Sequence, residues 1–200
     1  MDVAEQFFPA TAMPDRDWWA ALWPDPEGVI GLLGVKSVMT VVDLCCGDGY
    51  FTAPIARTVN GKVYGVDIDP FLLDQARIAL DKYGTTALDL ICADARGLPE
   101  LLPGKADYVL IANTFHGVPE KAEMARAVAA VLNPGGWFVI VNWHSFPREE
   151  TTVLDGPRGP KTEMRMSPDQ VRAVVEPAGF QFAGLVELPP YHYGAIFNKT

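Results

Sequence analysis

The stretch Val41-Val42-Asp43-Leu44-Cys45-Cys46-Gly47-Asp48-Gly49-Tyr50 decides the fold. An apolar, β-branched segment leads into a turn that contains Gly47 and Gly49, and a helix is predicted from Tyr50. Glycine lets the backbone bend tightly and lets a ligand approach it without a Cβ in the way. N–H groups exposed at the start of a helix suit an anionic or polar ligand. The stretch therefore predicts a ligand-binding turn between a central strand and a helix.

Short β-branched runs alternate with helix-length stretches along the rest of the chain. The predicted strands are Val38–Leu44, Lys62–Val66, Leu88–Cys92, Tyr108–Ala112 and Trp137–Val141. The predicted helices are Tyr50–Val59, Phe71–Tyr83, Glu120–Leu132 and Pro168–Pro177. Apolar runs of this kind are typical of strands buried on both faces. The alternation predicts an α/β, doubly wound parallel sheet with right-handed crossovers.

The carboxyl-terminal part departs from this alternation. Phe180–Leu188 and Tyr191–Asn198 read as two strands joined by a short proline turn, which predicts an antiparallel hairpin at the sheet edge. His144–Met166 is rich in Pro, Gly and charged residues and is predicted to be a long irregular loop. Loops of that length are usually functional or mobile.

The first 36 residues differ in composition from the remainder. They combine acidic residues and prolines with a dense group of aromatic side chains, namely Phe7, Phe8, Trp18, Trp19 and Trp23. Aromatic residues at this density have to be buried against something. We expect residues 1–36 to form an aromatic cap that lies on a domain of residues 37–200, within a single globular unit.

Charge and cysteine content narrow the functional class. Sixteen Lys and Arg residues against 25 Asp and Glu residues give a net charge of −9, which disfavours a nucleic-acid partner. The start of the chain has no basic region typical of a signal peptide, and no apolar run approaches the ~18 residues of a membrane span. The three cysteines have no paired spacing, so we interpret them as small residues of the core rather than as ligands of a soft metal or of arsenic. We therefore expect a cytoplasmic protein with reduced thiols and no metal site.

An acidic residue follows the second predicted strand and indicates the kind of ligand. Asp67 lies eighteen residues after Gly49 and would stand beside the turn, where its carboxylate could accept hydrogen bonds from two ribose hydroxyls. A dinucleotide fingerprint would need glycine or alanine where Thr52 stands. Asp48 would repel phosphates, and Tyr50 leaves little room for a pyrophosphate. A cofactor with a nucleoside and an amino acid but no phosphate is favoured, and a nicotinamide-dependent oxidoreductase is the alternative.

On these residues the chain resembles the class I S-adenosylmethionine-dependent methyltransferases, most closely the small-molecule branch related to ubiquinone and menaquinone methyltransferases. The resemblance covers roughly Val38 to Val141. It implies a Rossmann-like seven-stranded sheet in the order 3-2-1-4-5-7-6 with an antiparallel last strand. It also implies S-adenosylmethionine as cofactor, with one set of residues around it: Asp43, Cys45, Gly47 and Gly49 at the methionine portion, Asp67 and Ile68 at the ribose, Asp94 and Ala95 at the adenine, and Asn113 beside the reacting methyl group.

The resemblance also places the acceptor near the segment Asn113-Thr114-Phe115-His116. If the acceptor loses a proton, His116 is the first candidate for the base and His144 the second. His192 and Tyr193 are interpreted as structural residues or pocket wall. We expect the aromatic cap and the 144–166 loop to form a lid over a small, partly apolar acceptor. A non-catalytic cofactor-binding domain is a further alternative, and a homodimer is possible.

Overall fold

The computed structural model describes residues 16–200, with side chains from residue 17. The early part of the expected cap, including Phe7 and Phe8, lies outside the described residues. The helices are α1 (Arg16–Leu22), α2 (Pro26–Leu32), α3 (Thr52–Thr58), α4 (Pro70–Lys82), α5 (Leu98–Leu101), α6 (Lys121–Val131) and α7 (Pro168–Val175). The strands are β1 (Val41–Leu44), β2 (Val63–Asp67), β3 (Asp89–Cys92), β4 (Ala106–Ala112), β5 (Leu132–Trp143), β6 (Thr152–Val153), β7 (Gly156–Pro157), β8 (Phe180–Leu188) and β9 (His192–Lys199).

Seven of the strands form one sheet in the order β3-β2-β1-β4-β5-β9-β8. The pairs among β1 to β5 are parallel, and β9 runs antiparallel to both β5 and β8. Since β8 and β9 are the predicted sixth and seventh strands, the predicted order is confirmed. The strand order reverses beside β1, which has β2 on one side and β4 on the other. In open α/β sheets the ligand binds at such a reversal, outside the carboxyl ends of the strands.

Successive residues of the central strands pack on opposite faces of the sheet. Leu110 in β4 belongs to a hydrophobic cluster shared with α1, α2 and α3, whereas Val109 and Ile111 belong to a second cluster shared with α6 and α7. This alternation follows from the two-residue period of a strand. The core is therefore two layers, and the carboxyl ends of β1, β4 and β5 lie between them.

Several element boundaries differ from the sequence prediction. β1 begins at Val41 rather than Val38, whose side chain is 77% exposed. β5 begins at Leu132 rather than Trp137, and Leu132 pairs with Ala106 across an irregularity in the register, so the segment 133–136 between the predicted helix and the predicted strand is part of β5. The prediction that every strand is buried on both faces is wrong for β3, because this strand lies at the sheet edge and is partly exposed.

The prediction of an irregular 144–166 loop is also wrong, because the segment contains the short β6–β7 hairpin. Arg165 holds the segment together: its guanidinium donates to the carbonyls of Phe146, Arg158 and Pro160 and to Oγ1 of Thr151. These bonds, 2.8–3.2 Å long, replace regular secondary structure as the source of order.

The helices α1 and α2 pack into the hydrophobic cluster that contains Val41 of β1. The Tyr108 hydroxyl donates to the carbonyl of Leu33 at 3.0 Å, which ties the end of α2 to β4. Asp25 caps α2 by accepting from the N–H of Gly28 at 2.9 Å. The division into a 1–36 cap and a 37–200 domain stays a prediction. None of the helices in residues 16–200 has the length and apolar character to cross a bilayer.

Candidate functional site

The turn after β1 has the conformation that its glycines predict. Cys45, Gly47 and Gly49 have φ angles of 59°, 55° and 77°, in the left-handed region where a Cβ costs energy. A Cβ on Gly49 would also lie 2.8 Å from Cα of Ala76 in α4. Glycine at this position therefore lets the turn pack closely on α4 at the carboxyl end of β1.

Asp67, the last residue of β2, fixes this turn from the neighbouring strand. Its Oδ2 accepts a hydrogen bond from the N–H of Gly47 at 2.8 Å, and its Oδ1 accepts one from the N–H of Asp69 at 3.0 Å. Each carboxylate oxygen has a second lone pair, so Asp67 can still accept from two hydroxyls. Burial raises the pKa of Asp67, although its backbone hydrogen bonds act in the opposite direction. The structure thus brings Asp67 to the turn, as the sequence spacing predicts.

Two more aspartates place negative charge around the turn. Asp43 is almost fully buried and accepts a hydrogen bond from Oγ1 of Thr52 at 2.6 Å. Burial raises its pKa to about 7, and the charges of Asp67 and Asp48 add to the rise. Because like charges disfavour each other's ionisation, a bound cationic group would relieve the repulsion. The site is therefore suited to a ligand with positive charge and poorly suited to a phosphate.

The ends of β2 and β3 meet where the base of a nucleoside is expected. The Cys92 thiol lies 3.6 Å from the carbonyl oxygen of Ile68. Asp94 caps the short turn Ala95–Gly97 and accepts from the N–H of Arg96 at 2.9 Å. The Arg96 guanidinium also pairs with this carboxylate and lowers the pKa of Asp94. Asp94 is thus ionised and already paired with a cation that sequence reasoning missed, and its contact with adenine stays a prediction.

The loop after β4 presents two polar side chains at the reversal of strand order. The N–H of Asn113 donates to the carbonyl of Val141 at 2.8 Å, and the buried Oδ1 of Asn113 has no hydrogen-bond partner in the described part of the chain. His116 is buried, with Nδ1 3.4 Å from Oδ1 of Asn142 in β5. Because an amide oxygen only accepts, the proton of the neutral ring sits on Nδ1 and the Nε2 lone pair is available. Burial lowers the pKa of His116 to about 4, so the ring is neutral near neutral pH.

His144, the second predicted base, has a different environment. Its Nε2 lies 2.9 Å from Oε2 of Glu187 in β8. Its ring packs against Phe146 and Tyr193, with centroid separations of 5.4 and 5.0 Å. Each histidine thus has one ring nitrogen in contact with a side-chain oxygen, and His116, which lies in the same loop as Asn113, stays the first candidate for the base.

An aromatic cluster lies at the carboxyl end of β5; its members are Trp18, Trp19, Trp23, Trp143 and His192. The His192 ring lies between Trp143 and Trp23, with centroid separations of 4.0 and 4.6 Å. Both nitrogens of His192 are buried without a hydrogen-bond partner among residues 17–200, and burial holds its pKa well below the usual range. The interpretation of His192 as wall fits this position.

Tyr50 connects the glycine turn to the aromatic cluster. Its hydroxyl donates to the carbonyl oxygen of Trp23 at 2.6 Å and lies 3.3 Å from that of Trp19. Sequence reasoning interpreted Tyr50 only as bulk beside the turn and gave no signal for this contact. It also missed Asn142, although a buried amide in the apolar run of β5 is the kind of signal that could have revealed it.

The cysteines show no arrangement for a metal. Cys45 is half-buried, Cys46 is buried and Cys92 is exposed, and all three are free thiols. Burial and the nearby aspartates raise the pKa values of Cys45 and Cys46. Among the described residues, no group of three or more His, Cys, Asp and Glu side chains could hold a metal ion.

Comparison with known proteins adds family information to this geometry. Residues 41–136 match the family model described as a methyltransferase domain. The ubiquinone/menaquinone biosynthesis C-methyltransferases UbiE of Escherichia fergusonii and Salmonella paratyphi B are each 30% identical to this chain over 174 residues, which covers 74% of this chain and 68% of the relative.

Solved structures share the fold at lower identity. An S-adenosylmethionine-dependent methyltransferase from Aquifex aeolicus superposes with a TM-score of 0.76 at 24% identity, covering 93% of this chain and 94% of that one. Magnesium protoporphyrin IX methyltransferase (ChlM) from Synechocystis PCC 6803, with bound S-adenosylmethionine, gives a TM-score of 0.65 at 16% identity, covering 92% and 90%. These likenesses support the doubly wound fold.

Proposed function

The chain belongs to the class I S-adenosylmethionine-dependent methyltransferases, and we propose that its acceptor is a small, partly apolar molecule bound beside His116. The family follows from relatives that are 30% identical and matched over two thirds of their length. Methyl transfer from S-adenosylmethionine is confirmed as the predicted reaction, over the nicotinamide-dependent alternative. The relatives are named for C-methylation in ubiquinone and menaquinone biosynthesis, which supports a small-molecule acceptor.

The residues around the glycine turn fit the cofactor. Asp67 keeps a free lone pair on each oxygen for the ribose hydroxyls. The carboxylates of Asp43, Asp48 and Asp67 disfavour each other's ionisation. The positive sulfur and the ammonium group of S-adenosylmethionine would relieve this repulsion. We assign these cofactor contacts: Asp43, Cys45, Gly47 and Gly49 to the methionine portion, Asp67 and Ile68 to the ribose, Asp94 and Ala95 to the adenine, and Asn113 to the region of the methyl group.

His116 is the proposed base in this mechanism. Bound S-adenosylmethionine supplies an electrophilic methyl group on a positively charged sulfur. His116 receives the proton of the acceptor at Nε2, because its low pKa keeps that nitrogen unprotonated. Asn142 holds the ring through Nδ1, and the aromatic cluster excludes water from the reacting atoms. The protein thus contributes mainly by holding the reacting groups in position and by keeping water away from them.

The buried neutral His116 at the end of β4 is the observation that carries this proposal. The test supplies S-adenosylmethionine labelled in its methyl group together with phenols, hydroquinones and aliphatic acids. Transfer RNA and a bulk protein fraction are offered in parallel. We expect label in the small-molecule fraction. Label only in RNA or protein would overturn the acceptor assignment.

The cofactor contacts have a separate test. Titration calorimetry should show binding of S-adenosylhomocysteine but not of NADH. Asp67→Asn should weaken S-adenosylhomocysteine binding by about tenfold, since it removes a charged acceptor worth roughly 1.4 kcal/mol. Asp81→Asn, an exposed change in α4 with the same chemistry, should leave affinity unchanged. Equal affinity in Asp67→Asn and wild type would refute the ribose contact.

We also propose a cytoplasmic location, which the three free thiols support. We further propose that the acceptor is not a nucleic acid, which the net charge of −9 supports. A homodimer stays a prediction, which light scattering of the purified protein would test.

A further inference from the structure

An open groove of about 540 Å³ lies beside His116, where α6 and α7 begin. The side chains that matter for its chemistry are Lys121, Glu163, Met164, Arg165, Met166 and Gln170. The lining combines apolar side chains with charged ones. The groove could not be predicted from the sequence, because its residues come from separate segments, namely α6, α7 and the 144–166 loop.

Two cations line the groove, and neither forms an ion pair with a carboxylate in the described part of the chain. Lys121 donates to the carbonyl of Val118 at 2.7 Å and forms no ion pair with residues 17–200. Arg165 is only 5% exposed, and its guanidinium donates to backbone carbonyls and one hydroxyl, without an ion pair in the same part of the chain. Neutral oxygens satisfy the hydrogen bonds of a buried cation without neutralising its charge, and the nearby charges of Arg148 and Glu149 act on Arg165 in opposite directions.

The charge balance of the groove fits a monoanion. Lys121 and Arg165 contribute two positive charges and Glu163 one negative charge, which leaves one positive charge to compensate. Four of the five guanidinium N–H groups of Arg165 already donate to protein oxygens, which leaves one N–H for a ligand. A carboxylate needs fewer donors than a phosphate and carries a single charge.

His116 responds to the same two cations. Burial has the largest effect on the pKa of His116 and lowers it, whereas the contact with Asn142 raises it. The charges of Lys121 and Arg165 lower this pKa further. Burial also lowers the pKa of Lys121. An anion bound between them would oppose both effects and would make His116 a stronger base.

We propose that the groove binds a carboxylate of the acceptor, which Lys121 and Arg165 hold beside His116. The acceptor is then a monocarboxylic acid whose apolar part contacts Met164 and Met166. This inference rests on the proposed function, since it names the chemical class of the same small-molecule acceptor.

The test measures binding without turnover, in the presence of saturating S-adenosylhomocysteine. Benzoate, cinnamate, 2-naphthoate and octanoate are titrated by calorimetry, each beside its amide, with phenyl phosphate as a dianion. Arg165 also orders the loop, so the variant is Lys121→Met, and Arg126→Met on the exposed face of α6 is the matched control.

We expect at least one carboxylate to bind more tightly than its amide and than phenyl phosphate. Lys121→Met should weaken it by about tenfold, the loss of a hydrogen bond to a charged group, while Arg126→Met should match wild type. Absence of carboxylate binding, or equal affinity in Lys121→Met and wild type, would overturn the inference. Those results leave methyl transfer intact, whereas failure of S-adenosylhomocysteine to bind at all would defeat the proposed function itself.

Discussion

Replacing Gly49 with alanine tests the close contact between the glycine turn and α4. The variant places a Cβ on a residue with φ of 77°, and left-handed backbone costs roughly 1–2 kcal/mol for a residue other than glycine. The same Cβ would lie 2.8 Å from Cα and Cβ of Ala76. Backbone atoms yield little, so this overpacking adds about 1–3 kcal/mol. The total expected loss of unfolding free energy is about 2–5 kcal/mol.

Gly84→Ala is the matched control, because it carries only the first of these costs. Gly84 has φ of 62°, and a Cβ there would meet nothing within 4 Å. The difference between the two variants isolates the packing cost of about 1–3 kcal/mol. For a chain of this size, each kcal/mol lowers Tm by about 2–4 °C. Gly84→Ala should therefore lose about 2–8 °C and Gly49→Ala about 4–20 °C.

Urea unfolding and S-adenosylhomocysteine calorimetry together check both parts of this reasoning. Gly49→Ala should lose cofactor affinity as well as stability, since the turn has to move away from α4, whereas Gly84→Ala should bind as wild type does. Equal losses of unfolding free energy in the two variants would refute the packing argument. Full affinity in Gly49→Ala would refute the placement of the cofactor at this turn.

Three further predictions concern the side chains around the turn and the loop after β4. Tyr50→Phe removes the hydrogen bond to Trp23 and should cost about 0.5–1.5 kcal/mol in urea unfolding; no loss would mean that the contact does not form. His116→Gln should lower kcat by about 10²–10⁴-fold with unchanged S-adenosylhomocysteine affinity, while His144→Gln should retain most of kcat; equal kcat values in the two variants would contradict the assignment of the base. Burial raises the pKa of Asp43 in the folded state from 3.8 to about 7. The contribution of Asp43 to the free energy of unfolding therefore falls as pH rises between these two values, by about 1.4 kcal/mol per pH unit at most. Asp43→Asn should flatten that part of the profile, and an unchanged slope would assign it to another group.

Local signals were sufficient to predict the sheet and the position of the glycine turn beside Asp67. The glycines at 47 and 49 and the carboxylate of Asp67 lie within one strand–helix–strand unit, so spacing along the chain fixes their proximity in space. The outer limits of strands were harder to predict. Val38 is apolar but exposed, and the segment 133–136 contains turn residues but continues β5, because pairing with β4 overrides local preference.

Contacts between distant segments could not be predicted in this way. Asn142 in β5 contacts His116 in the loop after β4, and Arg165 orders the 144–166 loop by donating to carbonyls up to 19 residues away. Neither contact has a spacing rule, since both depend on how the helices pack on the sheet. The sequence analysis noted only that the loop is rich in charged residues, whereas Arg165 is buried among carbonyl groups without an ion pair to residues 17–200.

The end of β5 and the start of α3 connect the glycine turn, where we propose that the cofactor binds, with the surfaces proposed to enclose the acceptor. Tyr50 ties the turn to the carbonyl of Trp23, whose ring contacts His192. Asn142 holds His116, while its neighbour Trp143 packs against the guanidinium of Arg165 at 5.0 Å. A ligand that stabilises the turn therefore also stabilises α1 over the acceptor region. Because such coupling is reciprocal, cofactor and acceptor should each bind more tightly when the other is present. If the cofactor binds first and orders the turn, the acceptor should then bind more tightly than it does to the free protein.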